Sequence, residues 1–120
     1  LLFNAGRIEE ALAKAQQVAA VAQPGRLLFA YAVAERVWGS ALARLGASLD
    51  EVAAHFSASL LTCEQTEQVC NAIQGHLYWG RALREREAEA DAQQHFTQAL
   101  QLLEAGGYEN GLQWARGIAR

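Results

Sequence analysis

The sequence predicts an all-α protein built from antiparallel helical hairpins packed side by side. Three observations indicate this fold: a helix-favouring composition, apolar residues at three- and four-residue steps, and a motif that recurs along the chain. The 120 residues include one Pro and are rich in Ala, Leu, Glu and Gln, as expected of a helical chain. With 52% hydrophobic residues, the chain has enough apolar material for the core of one domain.

The recurring motif places a Trp-Gly pair on one helix and a Phe on the next. Its later copy consists of His76, Trp79, Gly80, Leu83, Ala92, Phe96 and Ala99, and its earlier copy of Glu35, Trp38, Gly39, Leu42, Val52, Phe56 and Ser59. Trp38 and Trp79 are 41 residues apart (79 − 38), and Phe56 and Phe96 are 40 apart (96 − 56). Small residues where two backbones approach, with large apolar residues between them, predict a pair of interlocked helices.

Both copies resemble the tetratricopeptide (TPR) pattern, which is W-x2-L-G-x2-Y followed by A-x3-F and a Pro. Trp79, Gly80, Ala92 and Phe96 are in register with it, whereas the final Pro is absent. The unit is longer than the standard TPR of about 34 residues, and in this it is similar to the arrays of bacterial signalling proteins and MalT-like transcription regulators. The resemblance covers essentially the whole chain. It implies a right-handed superhelix (an α-solenoid) in a cytoplasmic, bacterial regulatory or signalling protein.

Residues 7–22 predict the second helix of a partial repeat. Its apolar residues are Ile8, Ala11, Leu12, Ala15, Val18, Ala19 and Ala22. Pro24 and Gly25 end it, because Pro cannot continue the hydrogen-bond ladder and Gly permits a reversal. Residues 26–45 predict the first helix of the next repeat. Its buried stripe consists of Tyr31, Ala34, Trp38, Ala41, Leu42 and Leu45.

The following helix has a clear start and an unmarked end. Gly46 stops the preceding helix, and Ser48 with Glu51 forms a capping box. The inward residues are then Val52, Phe56, Ser59, Leu60 and Cys63. Neither Gly nor Pro marks the boundary near 65–66, where periodicity alone predicts a turn.

The last full repeat is placed by its register with the one before it. Its first helix carries Val69, Ala72, Ile73, His76, Trp79 and Leu83, and its second, over 88–104, carries Ala92, Phe96, Ala99 and Leu103. A turn is predicted near Glu87, and Gly106 and Gly107 end the second helix. The predicted organisation is a partial repeat (1–25), two repeats (26–66 and 67–107) and a partial first helix (108–120). Since both ends fall inside a repeat and the chain has no Met, we expect a fragment of a longer protein.

Composition restricts the classes of partner and cofactor. A net charge of −3 argues against nucleic acid as a direct partner. The sequence also has no run of 18 or more apolar residues, which a membrane-spanning helix would need. Cys63 and Cys70 do not form a C-x-x-C motif, so we expect free thiols in a reducing cytoplasm. No cofactor or metal is expected.

Catalysis is not the function that the polar residues favour. His55 and His95 hold equivalent repeat positions, which indicates a structural role rather than metal ligation. Carboxylates at 87, 89 and 91 suit the positive end of the helix that follows. We therefore expect no enzyme. A deep pocket holding a carboxylate with His76 or His95 would reopen that alternative.

The charge layout favours a binding groove. The predicted second helices of the two full repeats have no Lys or Arg, whereas the first helices carry several arginines. In TPR proteins the first helices line the concave groove, so the resemblance makes that groove basic. The candidate wall consists of Arg36, Ser40, Arg44, Gln74, Arg81 and Arg84.

A protein or peptide segment with acidic or C-terminal carboxylate groups suits this wall, since Arg binds carboxylates in a bidentate manner. Two alternatives stay open. The arginines could instead be solvated or paired with nearby Glu residues. The chain could also be a structural or oligomerisation section of a longer array, self-associating through its open repeat ends.

Overall fold

In the computed structural model, residues 5–107 and 115–118 are described, and every element they form is helical. The helices are α1 (Ala5–Ala22), α2 (Leu28–Arg44), α3 (Leu49–Gln65), α4 (Val69–Glu85) and α5 (Glu89–Gly106). Residues 115–118 are also helical. The all-α prediction is confirmed for this part of the chain. Apart from 115–118, the first helix predicted over 108–120 lies outside the described residues.

Helices that follow one another in the chain pack against one another, and α2 also packs against α4. We call α2–α3 the first hairpin and α4–α5 the second hairpin. Within each hairpin the leading helix carries the Trp-Gly pair and the trailing helix the Phe. Because α2 and α4 lie side by side, residues at equivalent positions of these two helices share one surface.

Both hairpins use the same glycine–phenylalanine contact. A Cβ atom added at Gly39 would lie 2.8 Å from Cδ2 of Phe56, and one added at Gly80 would lie 2.7 Å from Cε1 of Phe96. Both rings are fully buried. A side chain at either glycine would therefore collide with the ring, which confirms the close approach predicted for Gly39.

Trp79 joins the cores of the two hairpins. It packs against the buried cluster around Phe96 and against the buried cluster around Phe56. Its ring lies 5.5 Å from the Phe56 ring, centroid to centroid, at an interplanar angle of 7°. The apolar core is thus continuous from α3 through α4 to α5.

A residue with a left-handed backbone conformation (positive φ) recurs at each of the described turns. These residues are Arg26, Gly46, Glu67, Glu87 and Gly107. After each of the first four, a backbone N–H donates to the carbonyl five positions earlier: Leu27 to Ala22, Ala47 to Leu42, Gln68 to Cys63 and Ala88 to Leu83, at 2.8–3.0 Å. This is the Schellman arrangement, which satisfies carbonyls that a helix end leaves without partners.

Among the starts of α2 to α5, one depends on a side-chain cap. Ser48 Oγ accepts a hydrogen bond from the backbone N–H of Glu51 at 3.2 Å, as the capping motif predicts. The N-cap residues of α2, α4 and α5 make no such bond.

Three residues of the predicted apolar stripes are exposed: Val18, Leu45, and Val69, which is the first residue of α4 and is 43% exposed. Val18 is 44% exposed, whereas its repeat equivalents Ser59 and Ala99 are 1% and 0% exposed. Ser59 is covered by the leading helix of its own hairpin, where its Oγ donates to the Ala32 carbonyl at 2.6 Å. No described helix precedes α1 to cover Val18. Leu45 is exposed because it is the C-cap of α2 and lies at the turn.

Candidate functional site

Helices α1, α2 and α4 border a groove of about 330 Å³. Its lining residues are Ile8, Ala11, Arg36, Val37, Ser40, Ala41, Arg44, Tyr78, Arg81, Ala82 and Glu85. Ligand sites span roughly 300–1,000 Å³, so the groove can take one or two side chains of a partner. Its lining combines aliphatic side chains with an excess of guanidinium groups over carboxylates. We call this surface the α2–α4 groove.

Helical spacing explains how the polar part of the groove arises. Arg36, Ser40 and Arg44 lie four residues apart on α2, which brings them onto one face. Arg81 and Glu85 occupy the equivalent positions on α4 (40 + 41 and 44 + 41). Four of the six predicted site residues therefore line the α2–α4 groove: Arg36, Ser40, Arg44 and Arg81.

Arg36 is held in the groove by an aromatic ring. Its Cζ lies 5.2 Å from the centroid of the Tyr78 ring, within the range of a cation–π interaction. Burial lowers the pKa of Arg36 below its ordinary value, while Tyr78 and Cys63 act in the opposite direction. Arginine stays protonated at neutral pH, so a partly desolvated cation faces the groove.

The other two arginines of the groove differ in their partners. Arg44 donates to Glu85 at 3.1 Å, which connects α2 with α4. The two side chains are 31% and 45% exposed, so this pair adds little stability. Arg81 is exposed, and none of the ion pairs among the described residues includes it. Its guanidinium can therefore meet a ligand without first breaking an ion pair.

Gln74 and Arg84 do not line the groove. Arg84 donates through Nε and Nη2 to the two carboxylate oxygens of Glu89, at 3.0 and 3.1 Å. These bonds hold the pKa of Glu89 below its ordinary value. The Arg84 guanidinium also lies 4.7 Å from the Phe96 ring centroid. Arg84 thus belongs to the packing of the second hairpin, as the alternative of local Glu pairing allows.

A buried polar cluster in the first hairpin was not predicted. Glu35 is only 5% exposed, and its Oε2 lies 2.7 Å from Nδ1 of His55. The pKa of Tyr31 is raised, first by burial and then by the charge of Glu35. The imidazole stacks on Trp38, with 4.1 Å between ring centroids. We call Glu35 and His55 the first pair.

The second hairpin has an equivalent cluster with a different composition. His76 occupies the position of Glu35 (35 + 41), and its Nδ1 lies 3.0 Å from Nδ1 of His95. His95 stacks on Trp79, with 4.0 Å between ring centroids. We call His76 and His95 the second pair. The repeat register places these four residues at matching positions, but periodicity alone does not show that they meet.

The described residues hold no group of three or more His, Cys, Asp or Glu side chains arranged to bind a metal ion. Neither His76 nor His95 lines the α2–α4 groove. Both cysteines are free thiols, with Cys63 buried and Cys70 exposed. Among the described helices, none has the length and apolar content needed to cross a membrane.

Comparisons with known proteins assign no function to the chain, so the proposal below is based on the geometry of the groove. No protein-family model matches the chain, and no curated protein or solved structure matches it.

Proposed function

We propose that this chain is a protein-interaction module that binds a segment of a partner protein in the α2–α4 groove. In this proposal its hairpins stack as a TPR-like α-solenoid, with α2 and α4 as neighbouring leading helices. The repeated Gly–Phe contact and the packing of α2 against α4 support that arrangement. The resemblance to TPR arrays further suggests a cytoplasmic bacterial regulatory or signalling protein without catalytic activity.

One observation carries the proposal: Arg81, which is exposed and in no ion pair with another described residue, lies in the same groove as the partly buried Arg36. Two guanidinium groups beside Ser40 favour an anionic ligand, and Arg matches the planar geometry of a carboxylate. The aliphatic lining residues favour an apolar neighbour to that anion. The expected ligand is therefore an acidic or C-terminal segment with an adjacent aliphatic side chain.

Charge reversal at Arg81 tests this function. We expect acidic peptides that carry Leu or Ile beside a C-terminal carboxylate to shift the backbone NMR signals of Ser40, Tyr78 and Arg81. Arg81→Glu should weaken binding by about tenfold or more, the equivalent of about 1.4 kcal/mol. Because Arg81 is exposed, circular dichroism and the melting temperature should stay unchanged.

Lys14→Glu is the matched control, because it makes the same change of charge at an exposed residue of α1 outside the groove. Its peptide affinity should equal that of the unsubstituted chain at 0.15 M salt, where distant charges are screened. Equal weakening by both substitutions would reduce the effect to net charge. No shift at the groove residues with any acidic peptide would contradict the proposal.

A second candidate function is a structural or oligomerisation section of a longer helical array. It is favoured by four exposed apolar side chains around the α1–α2 turn: Val18, Val21, Leu27 and Phe29. Light scattering over a concentration range separates the two candidates. A dimer that forms with concentration and is lost in Val21→Lys would favour self-association. A monomer throughout would favour the interaction module.

A further inference from the structure

The two imidazoles of the second pair meet edge to edge. Their centroids are 5.3 Å apart and their planes differ by 25°, while the Nδ1 atoms are 3.0 Å apart. The centroid separation exceeds the Nδ1–Nδ1 distance by 2.3 Å (5.3 − 3.0), about twice the distance from a ring centre to its own atoms. Both Nδ1 atoms therefore lie close to the line that joins the ring centres. This is the geometry of one in-plane N–H···N hydrogen bond.

Such a bond needs a single proton between the two Nδ1 atoms. One ring donates from Nδ1 and has a free lone pair on Nε2, whereas the other accepts at Nδ1 and carries its proton on Nε2. A proton added at the free Nε2 makes the donor an imidazolium and leaves the bond in place. A second proton can enter only at the accepting Nδ1. It then sets two N–H groups and two positive charges against each other.

The first pair has a carboxylate at the position that His76 occupies in the second pair. When its imidazole is protonated, His55 faces a carboxylate, so the two charges attract. The second pair in its fully protonated form has only repulsion at the matching position. The two clusters occupy equivalent helix positions, and in each the His of the trailing helix stacks on the Trp of the leading helix. The chain therefore provides an internal comparison of a His–carboxylate pair with a His–His pair.

The surroundings of the second pair oppose protonation. Burial, followed by the effect of His95, lowers the pKa of His76 to about 4. Burial also lowers the pKa of His95, while Asp91, one turn earlier on α5, acts in the opposite direction. The two titratable groups that shift these pKa values, His95 and Asp91, both lie on α5. Arg116, in the nearby helical segment, is exposed.

We infer that the second pair is an acid-sensitive contact between α4 and α5, which opens the second hairpin at a pH at which the first hairpin stays closed. Between pH 6.5 and about 4 the unfolded chain binds more protons at His76 than the folded chain does. The neutral second pair therefore stabilises the folded hairpin fully above pH 6.5, and this stabilisation is lost as the pH falls toward 4. Since α4 carries Tyr78, Arg81 and Glu85, opening of this hairpin also changes the α2–α4 groove.

Amide hydrogen exchange between pH 7.5 and 3.5, corrected for the intrinsic exchange rate, tests this inference on the whole chain. We expect protection in α4 and α5 to fall by about tenfold or more at a higher pH than protection in α2 and α3. His76→Glu copies the first pair into the second hairpin and should remove this difference. The reciprocal Glu35→His should make the first hairpin acid-sensitive as well.

Imidazole nitrogen shifts give a second readout if a variant fails to fold. His76 and His95 of the unsubstituted chain should titrate together, in two steps and below pH 6.5. Independent titration of each ring near pH 6.5 would overturn the inference. So would a simultaneous loss of protection in both hairpins, or a difference between the hairpins that persists in His76→Glu.

Discussion

At Gly80 a favourable local change conflicts with the packing of the hairpin. Ala has a higher helix propensity than Gly by about 1 kcal/mol, so an exposed Gly→Ala change in a helix would stabilise. A Cβ at Gly80, however, would lie within 2.7–2.9 Å of three atoms of the Phe96 ring. A buried ring cannot move aside as the end of a flexible side chain can. We expect Gly80→Ala to lower the free energy of unfolding by about 1–3 kcal/mol, measured in urea.

A double-mutant cycle identifies the ring as the cause. Phe96→Ala alone should lower the free energy of unfolding by about 3–5 kcal/mol, because it leaves a cavity. In that background Gly80→Ala should lose its destabilising effect, since the colliding atoms are gone. Gly117→Ala is the matched control, because nothing lies within 4 Å of its added Cβ. A stabilising Gly80→Ala would show that the helices can separate without loss of packing.

The backbone conformation of the turns is determined by the helices on either side rather than by the residue types in the turns. Glu87 has φ of 63° and Glu67 has φ of 57°, although this conformation costs a non-glycine residue about 1–2 kcal/mol. The Schellman hydrogen bonds and the packing of both flanking helices hold the chain there. We expect Glu87→Gly to raise the free energy of unfolding by up to about 1 kcal/mol, because Gly adopts this conformation without strain.

The comparison for Glu87→Gly is Glu64→Gly, within α3. Both positions are exposed, but Glu64 has helical backbone, so its replacement should lower the free energy of unfolding by about 1 kcal/mol. Urea unfolding of the two variants should therefore give effects of opposite sign. If Glu87→Gly also destabilises, the added flexibility of the unfolded chain outweighs the relief of strain.

Sequence periodicity predicted the helices, because each one buries a stripe at three- and four-residue steps. It also predicted the turn near 65–66, since the stripe of α4 restarts at a new phase. It could not predict the partners of polar side chains, which depend on contacts distant in sequence. Arg84 was therefore expected in the groove, although it contacts Glu89 and Phe96 of α5. The burial of Glu35 was not predicted. The partner of the buried Glu35 carboxylate is His55, which lies on α3, 20 positions away in the sequence (55 − 35).

At the scale of the whole molecule, stability depends on contact between hairpins as well as within them. Each unit of a repeat array gains stability from the interface with its neighbour in addition to its own packing. Two features connect the hairpins here. The stacking of Phe56 on Trp79 links the cores. Arg86, at the end of α4, donates through Nη1 to the Ala43 and Ala47 carbonyls, at 3.2 and 2.9 Å.

Replacement of Arg86 tests the polar half of this connection. The Ala43 carbonyl, in the last turn of α2, also accepts from the Gly46 N–H but at 3.4 Å, and Ala47 lies in the loop that follows, so Arg86 supplies the shorter bonds to this end of the helix. Arg86→Ala should therefore lower the free energy of unfolding by about 1–3 kcal/mol. It should also raise amide exchange in the α2–α3 turn, although the substitution is made on the other hairpin. Arg116→Ala removes an exposed guanidinium and should leave both measurements unchanged. Equal stability of the two variants would mean that the aromatic contact alone connects the hairpins.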